Sequence, residues 1–197
     1  MRNRFVFDLI EHTDFIKNMI FFSKKFSHSC ILYSNKSNSA VPKKYYQYDL
    51  LCALDSIEFL ESSQKSLFKL QELHKKRKDW IFGYMSYDLK NELYSTKSDN
   101  ESLFKNKNIG FFIPRHVLII KKNNLTVESI ENKIIVKQLF NTITNYTSDI
   151  KEIQKIKFKY RISKSKYLEK IVKIKAHIQR GDIYEMNFCQ EFFKENI

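Results

Sequence analysis

The 197-residue sequence is strongly basic, with 35 Lys and Arg against 22 Asp and Glu and a net charge of +13. A hydrophobic content of 43%, including 15% aromatic residues, excludes an intrinsically disordered chain, because such chains carry too little apolar surface to form a core. Only three Gly and two Pro occur, which excludes long flexible linkers and leaves most turns to Asn, Asp and Ser.

The basic charge raises the question of a polyanion partner, since Lys and Arg bind phosphates with release of counterions. The abundance of Lys, Asn, Ile, Phe and Tyr instead indicates drift toward an AT-rich genome, and we favour that interpretation. The run "KKRK" at Lys75 to Lys78 is interpreted as the solvated end of a helix. A nucleic-acid partner is therefore not expected.

The cysteines indicate a reducing compartment, and the histidines do not predict a metal site. Cys30, Cys52 and Cys189 are odd in number, far apart and in apolar surroundings, which favours reduced, buried thiols. The five histidines lack the spacing of a helical zinc site. Asp8 and Glu11 interrupt the apolar N-terminal stretch, so no secretory signal is expected, and no apolar run reaches the ~18 residues of a membrane helix. We expect a cytoplasmic protein without a membrane partner.

The first elements alternate between strands and a helix. "RFVFDLI" predicts a strand, after which Thr13 is expected to cap a helix with Phe15, Met19 and Phe22 on its apolar face. "SCILYSN" and "YQYDLLCAL" predict the next two strands, and the leucines between Ser63 and Lys76 predict a second amphipathic helix. "WIFGYMSYDL" is apolar on both faces, which predicts a central strand covered on both sides.

A hairpin and two helices follow. "FFIPRHVLIIKKNNLTVESI" predicts two strands joined by an Asn123-Asn124 turn, with Pro114 at the entrance or on an edge. "IENKIIVKQLFNTIT" predicts a helix whose apolar side includes Ile135, Leu139 and Ile143. Antiparallel strands with helices between and after them indicate an α+β fold with antiparallel sheets flanked by helices.

The last element is the most sharply defined. Ser163 or Ser165 is expected to start a helix that Gly181 closes in the left-handed conformation. A strand from Ile183 would place Tyr184, Met186 and Phe188 on one face and Glu185 and Asn187 on the other. The polar face predicts a polar cavity, and the alternative is an edge strand with one solvated side. Charges and low apolar content place a boundary between Asn145 and Lys159, which predicts a domain of residues 1–145, a connecting segment of residues 146–162 and a second domain from residue 163 to residue 197.

Three stretches resemble one enzyme family. "YLEKIVKIKAHIQRGDIYEMNFCQEFF" resembles the segment that opens the chorismate-binding region of the anthranilate synthase component I and aminodeoxychorismate synthase component I family, where "AGD" precedes "IYQVNLSQRF". "WIFGYMSYDLKNEL" resembles the "GYLSYDL" stretch of that family. "CILYSN" followed by "YYQYD" resembles its strand ending in Ser and the aromatic segment beyond it. The three occur in the family's order and span nearly the whole chain.

The resemblance implies the incomplete N-terminal half of an anthranilate-synthase-component-I-like fold, with residues 163–197 opening the chorismate-binding domain. It implies amination of chorismate with ammonia from a glutamine amidotransferase subunit. "GYMSYDLKNEL" favours the aminodeoxychorismate synthases, which lead to 4-aminobenzoate and folate, over the alternative, anthranilate synthase component I. An alternative of another class is a non-catalytic module that binds tryptophan or the glutaminase subunit.

The resemblance also assigns candidate site residues. Glu185 stands where the family has Gln, and where its isochorismate-forming and salicylate-forming cousins have a Lys beside ring carbon 2. Asn187 matches the family Asn, so both residues are candidates for binding chorismate. The positions that hold tryptophan in some members correspond to Ser34, Tyr45, Tyr46, Gln47 and Tyr48, and the alternative for these residues is a core or turn role.

Other family motifs have no counterpart in the sequence. These are "SPE", "PIKGT" with its catalytic Lys, and the glutamate pair that holds magnesium. No catalytic or metal-binding residue is therefore expected in this chain, and Mg²⁺ is expected only in the full-length family enzyme. We expect a truncated chain that does not turn over chorismate alone, because catalysis needs groups converging from several segments.

Overall fold

The computed structural model describes residues 1–10, 12–34, 47–94, 106–147 and 157–195. They belong to two compact units, Met1–Ser148 and Asp149–Ile197. The first unit is built on an antiparallel sheet in the order β1-β6-β5-β3-β2, with β4 paired to β5. The predicted α+β class is confirmed.

The elements of the first unit follow the expected order except at residues 87–94, where the 3-10 turn and the short helix were not predicted. Its strands are β1 (Asn3–Asp8), β2 (Ser29–Tyr33), β3 (Leu50–Ser62), β4 (Phe82–Met85), β5 (Ile109–Lys121) and β6 (Asn124–Ser129). Its helices are α1 (Phe15–Ser23), α2 (Ser66–Arg77), α3 (Lys90–Tyr94), which continues a 3-10 turn at Tyr87–Leu89, and α4 (Lys133–Thr144). Asp14, not Thr13, is the residue before α1, and it makes no side-chain cap. The β5–β6 turn is formed by Lys122 and Asn123, with the positive φ at Lys122, so the predicted Asn123-Asn124 turn is wrong by one residue.

Strand β5 lies at the centre of the sheet and pairs with three neighbouring strands. It pairs with β3 along its length, with β4 from Ile109 to Phe112 and with β6 from His116 to Lys121. Pro114 lies between these last two stretches and opposite a bulge in β3. This corrects the predicted position at an entrance or edge: a proline inside a sheet is tolerated where the ladder is already interrupted.

Each face of the sheet carries an apolar cluster. One face packs on α1 and α4 around fully buried Phe15, Met19, Leu118 and Ile143. On the other, Ala53, Phe82, Phe112 and Val117 form a smaller cluster with Trp80 against it. Burial of each large side chain contributes about 1.5–3 kcal/mol, so the first cluster dominates stability. In α4, Leu139 and Ile143 pack in this cluster as predicted, but Ile135 is 40% exposed and Val136 is buried instead.

The cysteines of the sheet do not form a disulfide. Cys30 and Cys52 lie on adjacent strands, but Cys52 belongs to the cluster under α1 and α4 and Cys30 to the opposite face. Their Cβ atoms therefore point apart, and a disulfide needs them to converge. Burial raises the pKa of the Cys52 thiol to about 12. Cys30, Cys52 and Cys189 are all free, as predicted, but of the three only Cys52 is buried, and Cys189 is exposed.

The prediction of a central strand at "WIFGYMSYDL" is wrong. Within the part of the chain that the structure describes, β4 has four residues and pairs with β5 alone, and Tyr84 and Met85 are exposed. The apolar character of this stretch comes instead from Trp80 and Phe82, which pack on one face only. An apolar run does not by itself establish a neighbouring strand on each side.

The second unit contains α5 (Lys164–Arg180) and a short ribbon of β7 (Lys159–Tyr160) and β8 (Phe192–Phe193). The helix begins as predicted, because the Ser163 hydroxyl accepts a hydrogen bond from the Lys166 amide, and it ends at Gly181 with φ of 81°. The predicted strand from Ile183 to Phe188 is wrong. No strand among the described residues lies beside it, and a strand needs a partner for its backbone groups.

Candidate functional site

The candidate site of the second unit is the loop of residues 183–191, which follows α5. Its start is fixed by Asp182. The carboxylate Oδ2 atom of Asp182 lies 2.6 Å from Nδ1 of His177 and accepts a hydrogen bond of 2.7 Å from Nη2 of Arg180. The Asp182 amide donates to the His177 carbonyl at 3.0 Å. Arg180, followed by His177, lowers the pKa of the Asp182 carboxyl, so it stays ionised and holds the turn.

The far end of the loop is tied to the chain before α5. Arg161 donates two hydrogen bonds of 2.8 and 3.0 Å to the Glu191 carboxylate, which lowers the pKa of Glu191. Gln190 donates to the Ile162 carbonyl at 3.1 Å. The Tyr167 and Phe188 rings stack with centroids 5.1 Å apart. These contacts could not be predicted from the sequence, because residues 161 and 191 are far apart in the chain and opposite charges alone do not show which residues pair.

Between these two anchors the loop presents its side chains to solvent. Glu185 and Asn187 are both exposed, and so are Met186 and Tyr184, which is 93% exposed. Glu185 and Asn187 are therefore solvated on a loop, which matches neither the predicted polar cavity nor the alternative of an edge strand. A carboxylate, an amide and two apolar side chains are accessible to a ligand on one loop.

A second candidate site lies beside the end of β2. The Ser34 amide and hydroxyl donate to the Asp49 carbonyl at 3.0 and 2.8 Å, and the Asp49 amide donates to Ile120 at 2.9 Å. These bonds hold the chain on both sides of a groove of about 520 Å³. The residues that line the groove include Leu32, Tyr33, Ser34, Gln47, Tyr48 and Leu51.

The groove brings together three of the five tryptophan-binding candidates, Ser34, Gln47 and Tyr48. Tyr45 and Tyr46 lie outside the described residues. The Ser34 hydroxyl already donates to Asp49 and can still accept a hydrogen bond. Leu32 and Tyr48 supply apolar surface, so the groove can hold an aromatic or aliphatic side chain beside polar groups.

The magnesium expected of the family enzyme does not fit the residues that the structure describes. None of them form a group of three or more His, Cys, Asp or Glu side chains that could hold a metal ion. No chemical step through a metal is therefore derived from this chain. In the same residues, no helix is long and apolar enough to cross a membrane.

The comparison with protein families identifies the class to which this α+β chain belongs. Residues 19–196 match the model of the chorismate binding enzymes. This match covers most of the chain, which therefore belongs to the chorismate-binding enzyme family. No curated protein matches the sequence.

Proposed function

We propose that the chain is an N-terminal portion of an aminodeoxychorismate synthase component I. Membership in the chorismate-binding family supports a chorismate-utilising enzyme, and "GYMSYDLKNEL" favours this product over anthranilate. In the proposed reaction ammonia forms a C–N bond at ring carbon 4 of chorismate and the hydroxyl leaves as water. A glutamine amidotransferase subunit releases the ammonia from glutamine, and Mg²⁺ belongs to the full-length enzyme.

The observation that carries the proposal is the anchored loop of residues 183–191. Both of its ends are fixed by charged hydrogen bonds, while Asn187 and Glu185 remain exposed and accessible to substrate. The Asn187 amide can donate to a chorismate carboxylate. Glu185 opposes binding, because its negative charge faces a dicarboxylate. These 197 residues contain no counterpart of the family's catalytic Lys motif, so we propose that they bind chorismate without turning it over.

Titration of the chain with chorismate, followed by NMR, tests this assignment. We expect weak saturable binding that moves the resonances of residues 183–191. Glu185→Gln should tighten binding severalfold because a like charge is removed, and Asn187→Ala should weaken it. Glu61→Gln, at an exposed position of β3, is the matched control and should leave binding unchanged. Absence of saturable binding in both the wild type and Glu185→Gln would contradict the proposal.

The product needs a separate experiment. The DNA downstream of codon 197 is expected to encode "SPE" and "PIKGT" in some frame. The polypeptide that joins the 197 residues to this downstream sequence should form 4-amino-4-deoxychorismate when it is incubated with chorismate, ammonium and Mg²⁺. Mass spectrometry would detect the product. Formation of anthranilate would identify the alternative, anthranilate synthase component I. The 197-residue chain alone should form neither product.

A second candidate function, a tryptophan-binding module, is favoured by the groove at Ser34. This groove collects Ser34, Gln47 and Tyr48 beside apolar side chains. Calorimetric titration should then show saturable tryptophan binding that Tyr48→Ala weakens. Tyr87→Ala, which removes an exposed ring outside the groove, should have no effect. Equal binding of tryptophan and alanine would contradict a site built for the indole ring.

A further inference from the structure

A cleft of about 790 Å³ lies in the first unit where the end of α2 approaches the N-terminus and β6. We call it the Trp80 cleft, and its lining includes Arg2, His74, Arg77, Lys78, Trp80 and Glu128. Its volume falls within the ~300–1,000 Å³ of small-molecule sites. Its lining shares no residue with the groove at Ser34 or with the loop of residues 183–191.

The floor of the cleft is held rigidly. Arg2, whose side chain is 8% exposed, donates from Nε to the Asp79 carboxylate at 2.7 Å. The same carboxylate oxygen accepts from the Trp80 amide at 2.7 Å, and the indole Nε1 donates to Glu128 at 2.8 Å. The indole ring is therefore fixed by hydrogen bonds at its backbone and at its edge. A ligand that contacts it would not have to order it, which removes part of the entropic cost of binding.

The rim of the cleft at the end of α2 is electropositive. The lining residue Arg77 shares the single carboxylate of Glu58 with nearby Lys76. The acidic residues of the lining are already engaged, Asp79 with Arg2 and the Trp80 amide and Glu128 with the indole Nε1. The Lys78 ammonium has no hydrogen bond or ion pair to another described residue. Lys78 adopts φ of 49° at the end of α2, where its side chain lines the cleft. An anionic group is therefore the complementary ligand at this rim.

The wall of the cleft is aromatic. The Trp80 ring stacks on the Phe82 ring with centroids 5.8 Å apart, and Trp80 and Ile81 line the cleft. An aromatic wall favours planar rings, which gain from offset stacking as well as from burial. We propose that the Trp80 cleft binds a small planar-ring molecule that carries an anionic group.

Fluorescence offers a direct test, because Trp80 is the single tryptophan of the chain. We would titrate the full chain with adenosine monophosphate, exciting at the red edge of the indole absorption where adenine is transparent. A saturable change in emission is expected. Adenosine lacks the anionic group and inorganic phosphate lacks the ring. Each should therefore bind roughly tenfold more weakly than adenosine monophosphate. Benzoate serves as the carboxylate probe, and the tighter of benzoate and adenosine monophosphate identifies the preferred anion.

Two lysine variants separate a specific site from general attraction to a basic protein. Lys78→Gln should weaken binding of adenosine monophosphate roughly fivefold, as expected for one exposed charge. Lys122→Gln is the matched control, because Lys122 also has a positive φ but lies at the opposite end of β6 from Glu128. It should leave binding unchanged. The proposal is overturned if neither adenosine monophosphate nor benzoate saturates, if phosphate alone binds as tightly, or if both variants weaken binding equally.

Discussion

At the scale of single residues, Arg2 closes a gap in the sheet. Its guanidinium donates to the carbonyls of Pro114 and Arg115, at 2.6 and 3.2 Å, where β5 passes from β4 to β6. Arg2→Ala would remove the donor to the Pro114 carbonyl, would leave the Arg115 carbonyl with only the Ile130 amide at 3.4 Å, and would leave the Asp79 carboxylate with the Trp80 amide but no cation. We expect a loss of about 2–4 kcal/mol in the free energy of unfolding, measured by urea denaturation. The matched control is Arg4→Ala on the exposed side of β1, which should change stability by less than ~0.5 kcal/mol.

Burial of the His116 ring should make the stability of the fold depend on pH. The ring is 5% exposed and Nδ1 lies 2.9 Å from the Ser129 hydroxyl. Burial lowers the pKa of His116 from the ordinary 6.5 to about 4. The charged groups that act on it are Glu131 and Asp55, which raise its pKa, and Arg115 and Arg2, which lower it. Desolvation is the largest cause, so the neutral ring is the form that the fold accommodates.

The sign of the pH effect follows from that lowered pKa. As the pH falls, the unfolded chain takes up the proton on His116 first, and protonation therefore favours unfolding. The contribution of the neutral ring is complete above pH 6.5 and declines as the pH approaches 4, by about 2–3 kcal/mol in the free energy of unfolding. His116→Gln should flatten this part of the stability–pH curve, whereas His74→Gln on exposed α2 should not. Equal slopes for wild type and His116→Gln would refute the assignment.

At the scale of elements, α2 is capped by a residue from a different helix. The residue before α2 is Lys65, at φ of 51° and without a side-chain cap. Glu92 of α3 takes this role, accepting from the Ser66 amide at 2.8 Å and from the Ser66 hydroxyl at 2.5 Å. These bonds from Ser66 lower the pKa of Glu92. A cap of this kind cannot be found from the local sequence of α2.

Removal of this cap should destabilise α2. We expect Glu92→Ala to cost about 1 kcal/mol, as at other helix N-termini, and to speed hydrogen exchange of the first amides of the helix. Because the pKa of Glu92 is lowered, its contribution should be present at neutral pH and lost in acid as the carboxylate is protonated. Glu72→Ala, within exposed α2, provides the comparison and should leave those amides protected. Unchanged exchange in Glu92→Ala would exclude a capping role.

The elements that sequence analysis located correctly are those whose signals are local. The ends of helix α5 were predicted correctly because its capping residues, Ser163 and Gly181, directly flank it in the sequence. The strand expected from Ile183 and the central position expected for β4 were wrong because each depends on distant partners. Alternation of apolar residues shows which side chains could share a face, but not whether a neighbouring strand is present.

The candidate sites were predictable to the same limited degree. Ser34, Gln47 and Tyr48 were named from a motif resemblance, and the structure places all three on one groove. The ion pair of Arg161 with Glu191 and the lining of the Trp80 cleft join residues remote in sequence. Such contacts exist only once the chain is folded, so no spacing rule could have named them.

At the scale of the whole molecule, exposed apolar surface and net charge have opposite effects on self-association. None of the residues of α5 is buried, and Leu168 and Val172 are 51% and 67% exposed. Apolar surface of this kind favours association, whereas a charge of +13 keeps copies apart at low ionic strength. We therefore expect self-association that increases with protein concentration and with salt, measured by sedimentation velocity. Val172→Glu should reduce it, and Lys166→Gln, which changes the net charge equally, should not. A monomer at all concentrations in high salt would show that this apolar surface does not drive self-association.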